Sequence, residues 1–350
     1  MSGTENLFPT LEARESAALP QKLALELQSG LMVCAAVNAA VQLGLPDLLA
    51  QPISVTQVAK AQEWHEPSLL ILLRALSSIG IFTEITPETF GPTERSTLLR
   101  KEGMAALVRL WGAPYQWDSW KHLAHTIKTG RPGLEVTAGE GTTIWTYLSG
   151  HPEEAVIFQQ GLAANARLVL PVLLASYDFS GIKTLADMGG GFGELGMELL
   201  SAYPTMEITL FDRQEVIEQV MAYGISPQIQ LTAGDFFLDP PAHMDAYVFK
   251  NVLMDWGDQE YVRIVRQCAT VLAPGGCLLI VEPVLTDATP FTRFFSLQMA
   301  LMMRHAHHRT LEEHRALLHQ AGLTLTRVEP LGLEQMVIEC RLSAPQEDAR

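Results

Sequence analysis

The stretch that decides the fold reads LADMGGGFGELGMELL and covers residues 185–200. It continues a strand pattern that begins at Lys183, four of its glycines cluster within residues 189–193, and an apolar helical pattern begins at Glu194. Glycine after a strand lets the backbone turn sharply and approach a ligand, and the helix that follows presents free N–H groups. The stretch therefore predicts a buried strand over 183–188, a ligand-binding turn and a helix in succession.

The same alternation of strand and helix continues beyond this turn. Candidate strands fall at Ile208–Phe211, Ile229–Leu231, Ala246–Phe249 and Cys277–Val281, and a candidate helix covers 260–272. Strands separated by helices are typical of an α/β domain with a doubly wound, mostly parallel sheet, which we assign to residues 176–345. In such a sheet the ligand cleft lies at the carboxyl ends of the strands.

Acidic residues stand at three successive strand ends. Asp187 precedes the glycines, Asp212 ends the second strand, and Asp235 with Phe236 follows the third. An acid beside the glycine turn repels a pyrophosphate but suits a cationic ligand, such as the sulfonium and ammonium groups of S-adenosylmethionine. Asp212 is placed to bind two ribose hydroxyls, and Asp235 could reach the adenine amine with Phe236 against the ring. A set of solvent-facing loop acids is the alternative.

The amino-terminal part of the chain has a mostly helical pattern. Apolar residues recur at helical spacing over 23–50, and patterns for helix, turn, helix and β-wing follow over 54–93. A winged helix can bind DNA through its second helix, but Arg74 is the one basic residue of that helix here. We therefore assign 21–100 to a winged-helix-like dimerisation domain and 1–20 to a flexible tail.

Composition limits the classes of function. Hydrophobic residues make up 48% of the 350 residues, and 24 Lys and Arg against 39 Asp and Glu give a formal net charge of -15. This charge opposes binding to phosphate backbones and to anionic lipid surfaces. The four cysteines show no metal-binding spacing, and the amino terminus has no basic segment followed by an apolar one. We expect a cytoplasmic protein without a metal, a nucleic acid or a membrane as partner.

Residues 101–175 have the pattern of a helical connector that contributes to the substrate cleft. This segment carries Trp111, Trp117, Trp120 and Trp145. Aromatic side chains between two domains either line a ligand cleft or belong to a core, and the sequence leaves both interpretations open.

Taken together and in this order, the motifs resemble those of the S-adenosylmethionine-dependent small-molecule O-methyltransferases. That family contains plant caffeic acid and bacterial antibiotic-modifying enzymes. The resemblance rests on LADMGGGFGELGMELL, LFDRQEVI, AGDFF, YVFKNVLMDWGDQE and LAPGGCLLIVEPVL, and it covers nearly the whole chain. It implies a Rossmann-like class I methyltransferase domain at the carboxy terminus, a winged-helix dimerisation domain at the amino terminus, S-adenosylmethionine as cofactor and a homodimer.

Residues and resemblance together give three predicted sets of site residues. The predicted cofactor-binding residues are Asp187, Gly189, Gly191, Asp212, Arg213, Gly234, Asp235, Phe236 and Lys250. The predicted substrate-binding residues are Trp117, Trp120, Leu162, Trp256, Met299 and Met303. The predicted catalytic residues are His308, Glu282, Asp255 and Met254.

The sequence departs from the family at the catalytic base. The resemblance calls for a histidine immediately before the Asp255-Trp256 pair, where this chain has Met254, whose thioether cannot accept the proton of a phenol. One of the two carboxylates that orient that histidine matches Glu282, whereas His308 occupies the position of the other. The pattern His, Glu, Glu has become Met, Glu, His.

The missing base leaves four hypotheses. To ionise a phenol with a pKa of about 10 costs roughly 4 kcal/mol at pH 7, and a positioned base contributes about 10² to 10⁴ in rate. His308 could be a relocated base, active above roughly pH 6 as an ordinary histidine is, or the acceptor could need no base. Asp255 with His305, His307 or His308 could bind an activating metal. The bound cofactor could also support a reaction other than methyl transfer, and the histidines could be no more than a solvated helix end.

The leading hypothesis is an enzyme that moves a methyl group from S-adenosylmethionine to the oxygen, nitrogen or carbon of a small, largely apolar, aromatic acceptor. Its chemistry would rest mainly on proximity. The second hypothesis is a hydroxylase-like or pericyclase-like relative that keeps the cofactor without transferring the methyl group. The third, which the net charge disfavours, is a winged-helix DNA-binding regulator.

Overall fold

The computed structural model describes residues 19–287, 289–332 and 334–343. The chain forms two compact units that divide between Ala113 and Pro114. Of the tail predicted over 1–20, residues 1–18 lie outside the described residues.

The division between the units falls later than the predicted boundary after residue 100. Helix α6, Ala105–Trp111, packs on helix α1, Leu19–Gln42, and so belongs to the first unit. The side-chain amide of Asn38 on α1 donates a hydrogen bond of 3.0 Å to the carbonyl of Val108 on α6. Gly112 leaves room for this amide, because a Cβ there would lie 1.5 Å from Asn38 Nδ2. A buried polar contact and a missing side chain therefore set the boundary, and neither is visible as a break in sequence pattern.

The first unit is a small winged-helix arrangement. After α1 its elements are α2 (Leu45–Leu48), β1 (Ile53–Ser54), α3 (Val55–Gln62), α4 (Glu66–Ser78), β2 (Phe82–Thr86), β3 (Thr89–Pro92), α5 (Glu94–Leu98) and α6. The three strands form an antiparallel sheet in the order β1-β3-β2. Ser54 begins α3 with a capping box, since its hydroxyl accepts the Gln57 N–H and the Gln57 side chain accepts the Ser54 N–H. The helix pair and the wing that the sequence predicted are both present.

The second unit begins with a run of helices. They are α7 (Pro114–Trp120), α8 (Leu123–Thr129), α9 (Gly133–Ala138), α10 (Ile144–Gly150) and α11 (Pro152–Ser176). Gly133 begins α9 at a close approach to α7, because a Cβ there would lie 2.6 Å from the carbonyl oxygen of Ser119.

The rest of the second unit is an α/β domain. Its elements are β4 (Thr184–Met188), α12 (Glu194–Ala202), β5 (Glu207–Asp212), α13 (Gln214–Tyr223), β6 (Ile229–Ala233), β7 (Ala246–Lys250), α14 (Asp258–Val271), β8 (Cys277–Pro283), α15 (Pro290–Met302), α16 (Leu311–Gln320), β9 (Leu323–Gly332) and β10 (Gln335–Leu342). The strand order is β6-β5-β4-β7-β8-β10-β9. Strands β4 to β8 pair in parallel, and β10 is antiparallel to both β8 and β9.

The topology of this sheet positions the ligand cleft. Strand β4 lies between β5 and β7, so the chain runs outward on one side of β4 and returns to its other side. In open α/β sheets ligands bind at such a switch point, outside the carboxyl ends of the strands. Every residue of β8 is buried, as expected for a central strand with both faces covered. The sheet is thus a rigid support for the residues that follow β4, β5 and β7.

Strands β9 and β10 were not among the predicted elements. Strand β9 lies at the edge of the sheet, mostly outside the core, and contains Pro330, which an edge strand tolerates. The pairing of β10 with β9 shifts register at Gln335/Met336 and at Glu339/Cys340. These irregularities remove the strict alternation by which a strand is recognised in sequence.

Within the described residues, two helices are long and apolar enough to span a membrane by length and composition alone. They are Leu23–Gln42 and Pro152–Ser176. Core and interface helices of soluble proteins meet the same criterion, and α11 packs on α12 and β9 of the sheet domain.

Candidate active site

The turn after β4 forms an open cradle beside a buried acid. Gly189 and Gly191 have φ values of 70° and 55°, a left-handed conformation that favours glycine. A Cβ on Gly190 would lie 2.7 Å from Asp187 Oδ2, so the absence of a side chain leaves space for that carboxylate. Asp187 is 2% exposed, and its Oδ2 accepts no hydrogen bond from the described residues. The cradle therefore contains a buried acceptor without a partner.

The electrostatics of Asp187 favour a cationic ligand. Burial raises the pKa of Asp187 to about 7, with Lys250 opposing this shift and Asp212 adding to it. A cation bound against the carboxylate would keep it ionised.

Asp212 is fixed at the end of β5 by the neighbouring backbone. Its Oδ2 accepts the N–H of Gly191 at 3.0 Å and its Oδ1 accepts the N–H of Arg213 at 2.7 Å. Each carboxylate oxygen keeps a further lone pair for a ligand hydroxyl. The guanidinium of Arg213 lies 5.0 Å from the ring centroid of Trp145 on α10, a cation–π contact.

Beyond β6 and β7, the predicted residues have mixed local roles. Asp235 is exposed, and its Oδ1 accepts the N–H of Phe237 at 2.9 Å in a tight turn. A Cβ on Gly234 would lie 2.5 Å from the ring of Phe211, so packing is reason enough for glycine there. Burial lowers the pKa of Lys250, while Asp187 and Glu194 raise it.

The fit to S-adenosylmethionine rests on this arrangement. One buried carboxylate lacks a partner, a second carboxylate is held rigid with free lone pairs, and aromatic rings follow the third strand. These groups suit a cationic amine, a ribose diol and an adenine ring. Asn251, which has φ 55° and a buried Oδ1 without a partner in the described residues, lies at the same edge and was not predicted from sequence.

A 3-10 turn, Leu253–Asp255, follows β7 and carries two of the predicted catalytic residues, Met254 and Asp255. The backbone N–H of Met254 donates a hydrogen bond of 3.2 Å to Oε2 of Glu282, which is 1% exposed. Burial raises the pKa of Glu282 to about 7, and Arg309 and the backbone amides of Met254 and Leu253 oppose that rise. Burial also raises the pKa of Asp255 well above its usual range, with the Glu282 charge adding to the shift.

Arg309 closes the other side of this turn. Its guanidinium is fully buried and donates to the carbonyls of Leu253 at 3.1 Å and Trp256 at 2.7 Å. It also donates twice to Oδ1 of Asp258, at 3.0 and 2.8 Å, and lies over the ring of Tyr261. The turn is therefore clamped by a carboxylate and a guanidinium, and the role of Arg309 was missed from sequence.

The side chain of Met254 lies in an apolar cluster. It groups with buried Met299 and Ala306, and half-buried Phe295 and Met303 pack against them. Two predicted substrate-binding residues, Met299 and Met303, are thus brought together with Met254. This cluster, residues 254, 295, 299, 303 and 306, is called the methionine cluster below.

His308 is buried beside the methionine cluster. The backbone N–H of its neighbour His307 donates to the carbonyl of Met254 at 3.0 Å, and the rings of Phe295 and His308 lie 5.1 Å apart. His308 is 1% exposed, so it is not part of a solvated helix end. Burial lowers its pKa to about 4, and the charges of His307 and Arg309 add to that shift.

Ser296 contacts the ring of His308. Its hydroxyl oxygen lies 3.0 Å from the carbonyl of Thr292 and 3.0 Å from Nδ1 of His308. When this hydroxyl donates to Thr292 it accepts from Nδ1, and Nε2 of the neutral ring then keeps its lone pair. Nε2 is buried and has no hydrogen-bond partner among the described residues.

The histidines do not form the metal site considered from sequence. His307 Nε2 lies 3.7 Å from Oδ1 of Asp258, a different carboxylate from Asp255, and His305 is exposed. Across the described part of the chain no group of three His, Cys, Asp or Glu residues could hold a metal ion.

The remaining predicted substrate residues are more scattered. The ring of Trp256 lies edge-on to Phe236 and Phe237, with centroids 5.7 and 4.9 Å away, so it stands with the predicted cofactor residues. Trp117 is half-buried, whereas Trp120 and Leu162 are exposed. Trp111, also exposed, belongs to the first unit.

Fold and site together define a class I S-adenosylmethionine-dependent methyltransferase. Residues 120–324 match the O-methyltransferase domain and residues 25–102 match the O-methyltransferase dimerisation domain. The chain belongs to the O-methyltransferase family.

Individual relatives agree with this assignment. The chain is 31% identical over 316 residues to a mitomycin biosynthesis 6-O-methyltransferase of Streptomyces lavendulae, covering 88% of this chain and 90% of that protein. It is 31% identical over 341 residues to a phenazine O-methyltransferase of Lysobacter antibioticus, covering 94% and 99%. The crystal structure of human N-acetylserotonin methyltransferase in complex with S-adenosylmethionine has a TM-score of 0.87 at 26% identity, covering 94% and 99%.

The family resolves two hypotheses left by the sequence. The protein is an S-adenosylmethionine-dependent O-methyltransferase with a small-molecule acceptor. Nothing in the comparisons supports the non-methylating enzyme or the DNA-binding regulator.

Proposed function

We propose that the protein methylates a phenolic hydroxyl group of a small aromatic specialised metabolite, and that His308 accepts the proton of that hydroxyl. One observation carries the proposal: Nε2 of His308 is buried without a hydrogen-bond partner among the described residues, on a ring that lies 5.1 Å from Phe295 of the methionine cluster. In the tautomer with the proton on Nδ1, this nitrogen carries a lone pair. The acceptor hydroxyl would be its partner, and the proton would move to Nε2 as the oxygen takes the methyl group.

The cofactor site supports the same reaction. When bound, S-adenosylmethionine supplies an electrophilic methyl group on a sulfonium. We assign Asp187 to its ammonium, Asp212 to the ribose hydroxyls, and the ring of Phe236 with that of Trp256 to the adenine. Gly191 would allow close approach, because a Cβ there would meet only Gln159 Oε1, at 3.6 Å.

The acceptor class follows from the methionine cluster and from the relatives. Unbranched, polarisable methionine side chains suit flat rings of varied outline. The relatives named above act, by their names, in mitomycin biosynthesis and on phenazines. A fused-ring acceptor with a hydroxyl is the class these observations favour.

We place the enzyme in the cytoplasm as a homodimer. The described cysteines are all free, which suits a reducing compartment, and the dimerisation domain supports two-fold assembly.

A His308→Gln variant tests the base. With a panel of hydroxylated phenazines and quinones, we expect kcat for S-adenosylhomocysteine formation to fall about 10²-fold while cofactor affinity by calorimetry stays unchanged, because a base acts on the transition state. His319→Gln, an exposed histidine on α16, is the matched control and should keep full activity. A change of less than tenfold in His308→Gln would mean that the acceptor needs no base.

The pH profile gives a second readout of the same proposal. The neutral form of His308 is the base, and burial lowers its pKa to about 4. Activity should therefore persist as the pH falls from 7 to 5 and decline toward pH 4, which corrects the limit near pH 6 expected for an ordinary histidine. An acid limb centred near pH 6.5 in a protein still folded by circular dichroism would contradict the assignment.

A further inference from the structure

A second buried histidine lies behind Glu282, away from the methionine cluster. His314 on α16 is fully buried, and its Nε2 lies 3.5 Å from Oε1 of Glu282. Its Nδ1 lies 3.0 Å from the hydroxyl oxygen of Tyr261, which is also fully buried. Neither His314 Nε2 nor Glu282 Oε1 forms a hydrogen bond within the described residues, so the 3.5 Å between them is a facing contact of two buried polar atoms. These three side chains are called the Glu282–His314–Tyr261 chain below.

One arrangement of protons fits the contacts among Tyr261, His314 and Glu282. Burial raises the pKa of Tyr261, so its hydroxyl stays protonated and can donate to Nδ1 of His314. Burial also lowers the pKa of His314 to about 3, so the ring is neutral and its one proton lies on Nε2, facing the carboxylate. The Nε2–H then faces Oε1 of Glu282 across 3.5 Å, and a buried carboxylate requires a donor of this kind.

Glu282 connects His314 to the 3-10 turn Leu253–Asp255. Its other oxygen accepts the N–H of Met254, the residue that reaches the methionine cluster, and two residues later Trp256 reaches the aromatic rings Phe236 and Phe237. One short turn thus carries a side chain to each of the two regions assigned to acceptor and cofactor. A small rotation of Glu282 would move both.

We infer that His314 is a positioning residue: through Glu282 it holds the Met254–Trp256 turn in the geometry that brings acceptor and cofactor into line. This inference rests on the proposed function for the identity of the two regions. The side chain does not reach the acceptor itself, because Glu282 stands between His314 and the turn.

The protonation of Glu282, His314 and Tyr261 depends on the charged and titratable groups around them. Asp255 on the turn is acidic, Arg309 beside it is basic, and His308 and Tyr261 are neutral where activity is measured. Loss of the His314 N–H would leave Oε1 of Glu282 without a facing donor, while Oε2 still accepts the N–H of Met254.

Substitution of His314 tests the inference on the full-length dimer. In His314→Phe, which keeps a flat ring without nitrogen, we expect kcat to fall tenfold or more. His314→Gln keeps an N–H near the position of Nε2 and should recover activity to within threefold of the parent. The control His319→Gln should keep the kcat of the parent.

A spectroscopic readout needs no acceptor. In a sample with ¹⁵N-labelled histidine, long-range proton–nitrogen spectra should show His314 as the neutral Nε2–H tautomer from pH 8 to pH 5. Detection of the Nδ1–H tautomer, or protonation near pH 6.5, would overturn the inference even if the acceptor class were wrong.

Different results would refute the two proposals, the base His308 and the positioning residue His314. If His314→Phe is folded and its kcat lies within twofold of that of the parent, the positioning role is refuted. If His314→Phe does not fold, Tyr261→Phe and His314→Gln with the tautomer spectrum decide the matter. An unchanged rate in His308→Gln would instead refute the base and leave this inference standing.

Discussion

At the scale of single residues, the proposed base depends on two exchanges that the family resemblance implies. Where the family resemblance places an imidazole, this chain has Met254, and where it places a carboxylate, this chain has His308. The two positions are joined, because the N–H of His307 donates to the carbonyl of Met254. In the proposal, His308 supplies the imidazole from this neighbouring position, where its ring would face an acceptor that packs on the side chain of Met254.

Asp212 offers a direct test of the cofactor site. Its carboxylate is held by two backbone N–H groups, so it meets a ribose without reorganisation. We expect Asp212→Ala to weaken S-adenosylmethionine binding by about 1.5 to 3 kcal/mol, the usual contribution of hydrogen bonds to a charged group. Titration calorimetry measures this, with Glu215→Ala, an exposed acid on α13, as control. Unchanged affinity in a folded Asp212→Ala variant would remove this residue from the site.

At the scale of elements, the clamp on the 3-10 turn connects stability to activity. Arg309 satisfies the carbonyls of Leu253 and Trp256 and pairs with Asp258 at the start of α14. A lysine has the charge but not the planar fork that makes these bonds together.

Arg309→Lys should therefore lower the free energy of unfolding by about 3 kcal/mol, the scale of a lost hydrogen bond to a charged group. Urea unfolding followed by circular dichroism measures it. Arg315→Lys, an exposed arginine on α16, is the matched control and should change stability by less than about 0.5 kcal/mol. Equal stability of the two variants would show that the clamp is unimportant.

The elements differ in how far sequence could predict them. Strands β4 to β8 carry short apolar runs with glycine turns, so their order and the acids at their ends could be read directly. The burial of Arg309 and His314 could not be predicted, because charged and titratable side chains on helices and loops are normally exposed to solvent. What buries His314 is the packing of α16 on α14 and β9, a long-range contact that no local pattern encodes.

Trp256 shows the same limit within the site. Its position beside Asp255 placed it near the acceptor by resemblance, yet its ring contacts Phe236 and Phe237. Adjacent residues on a 3-10 turn point in different directions, so sequence neighbours serve different regions.

At the scale of the whole molecule, net charge and apolar surface together favour a discrete dimer. The charge of -15 keeps copies apart, whereas α1 exposes Leu25, Leu27 and Leu31, each at least 65% accessible. An exposed apolar helix in a dimerisation domain needs a specific partner to cover it.

We expect light scattering to give twice the chain mass of 38.5 kDa at micromolar concentration. An obligate homodimer buries above about 2,000 Å², much of it apolar, so charges placed on α1 should break it. The double variant Leu27→Glu with Leu31→Glu should shift the mass toward 38.5 kDa and lower the unfolding temperature. Gln28→Glu, which adds a charge at an exposed polar position of the same helix, should remain dimeric. A parent protein with the mass of one chain would contradict the assembly, whereas a double variant that stays dimeric would place the interface on another surface.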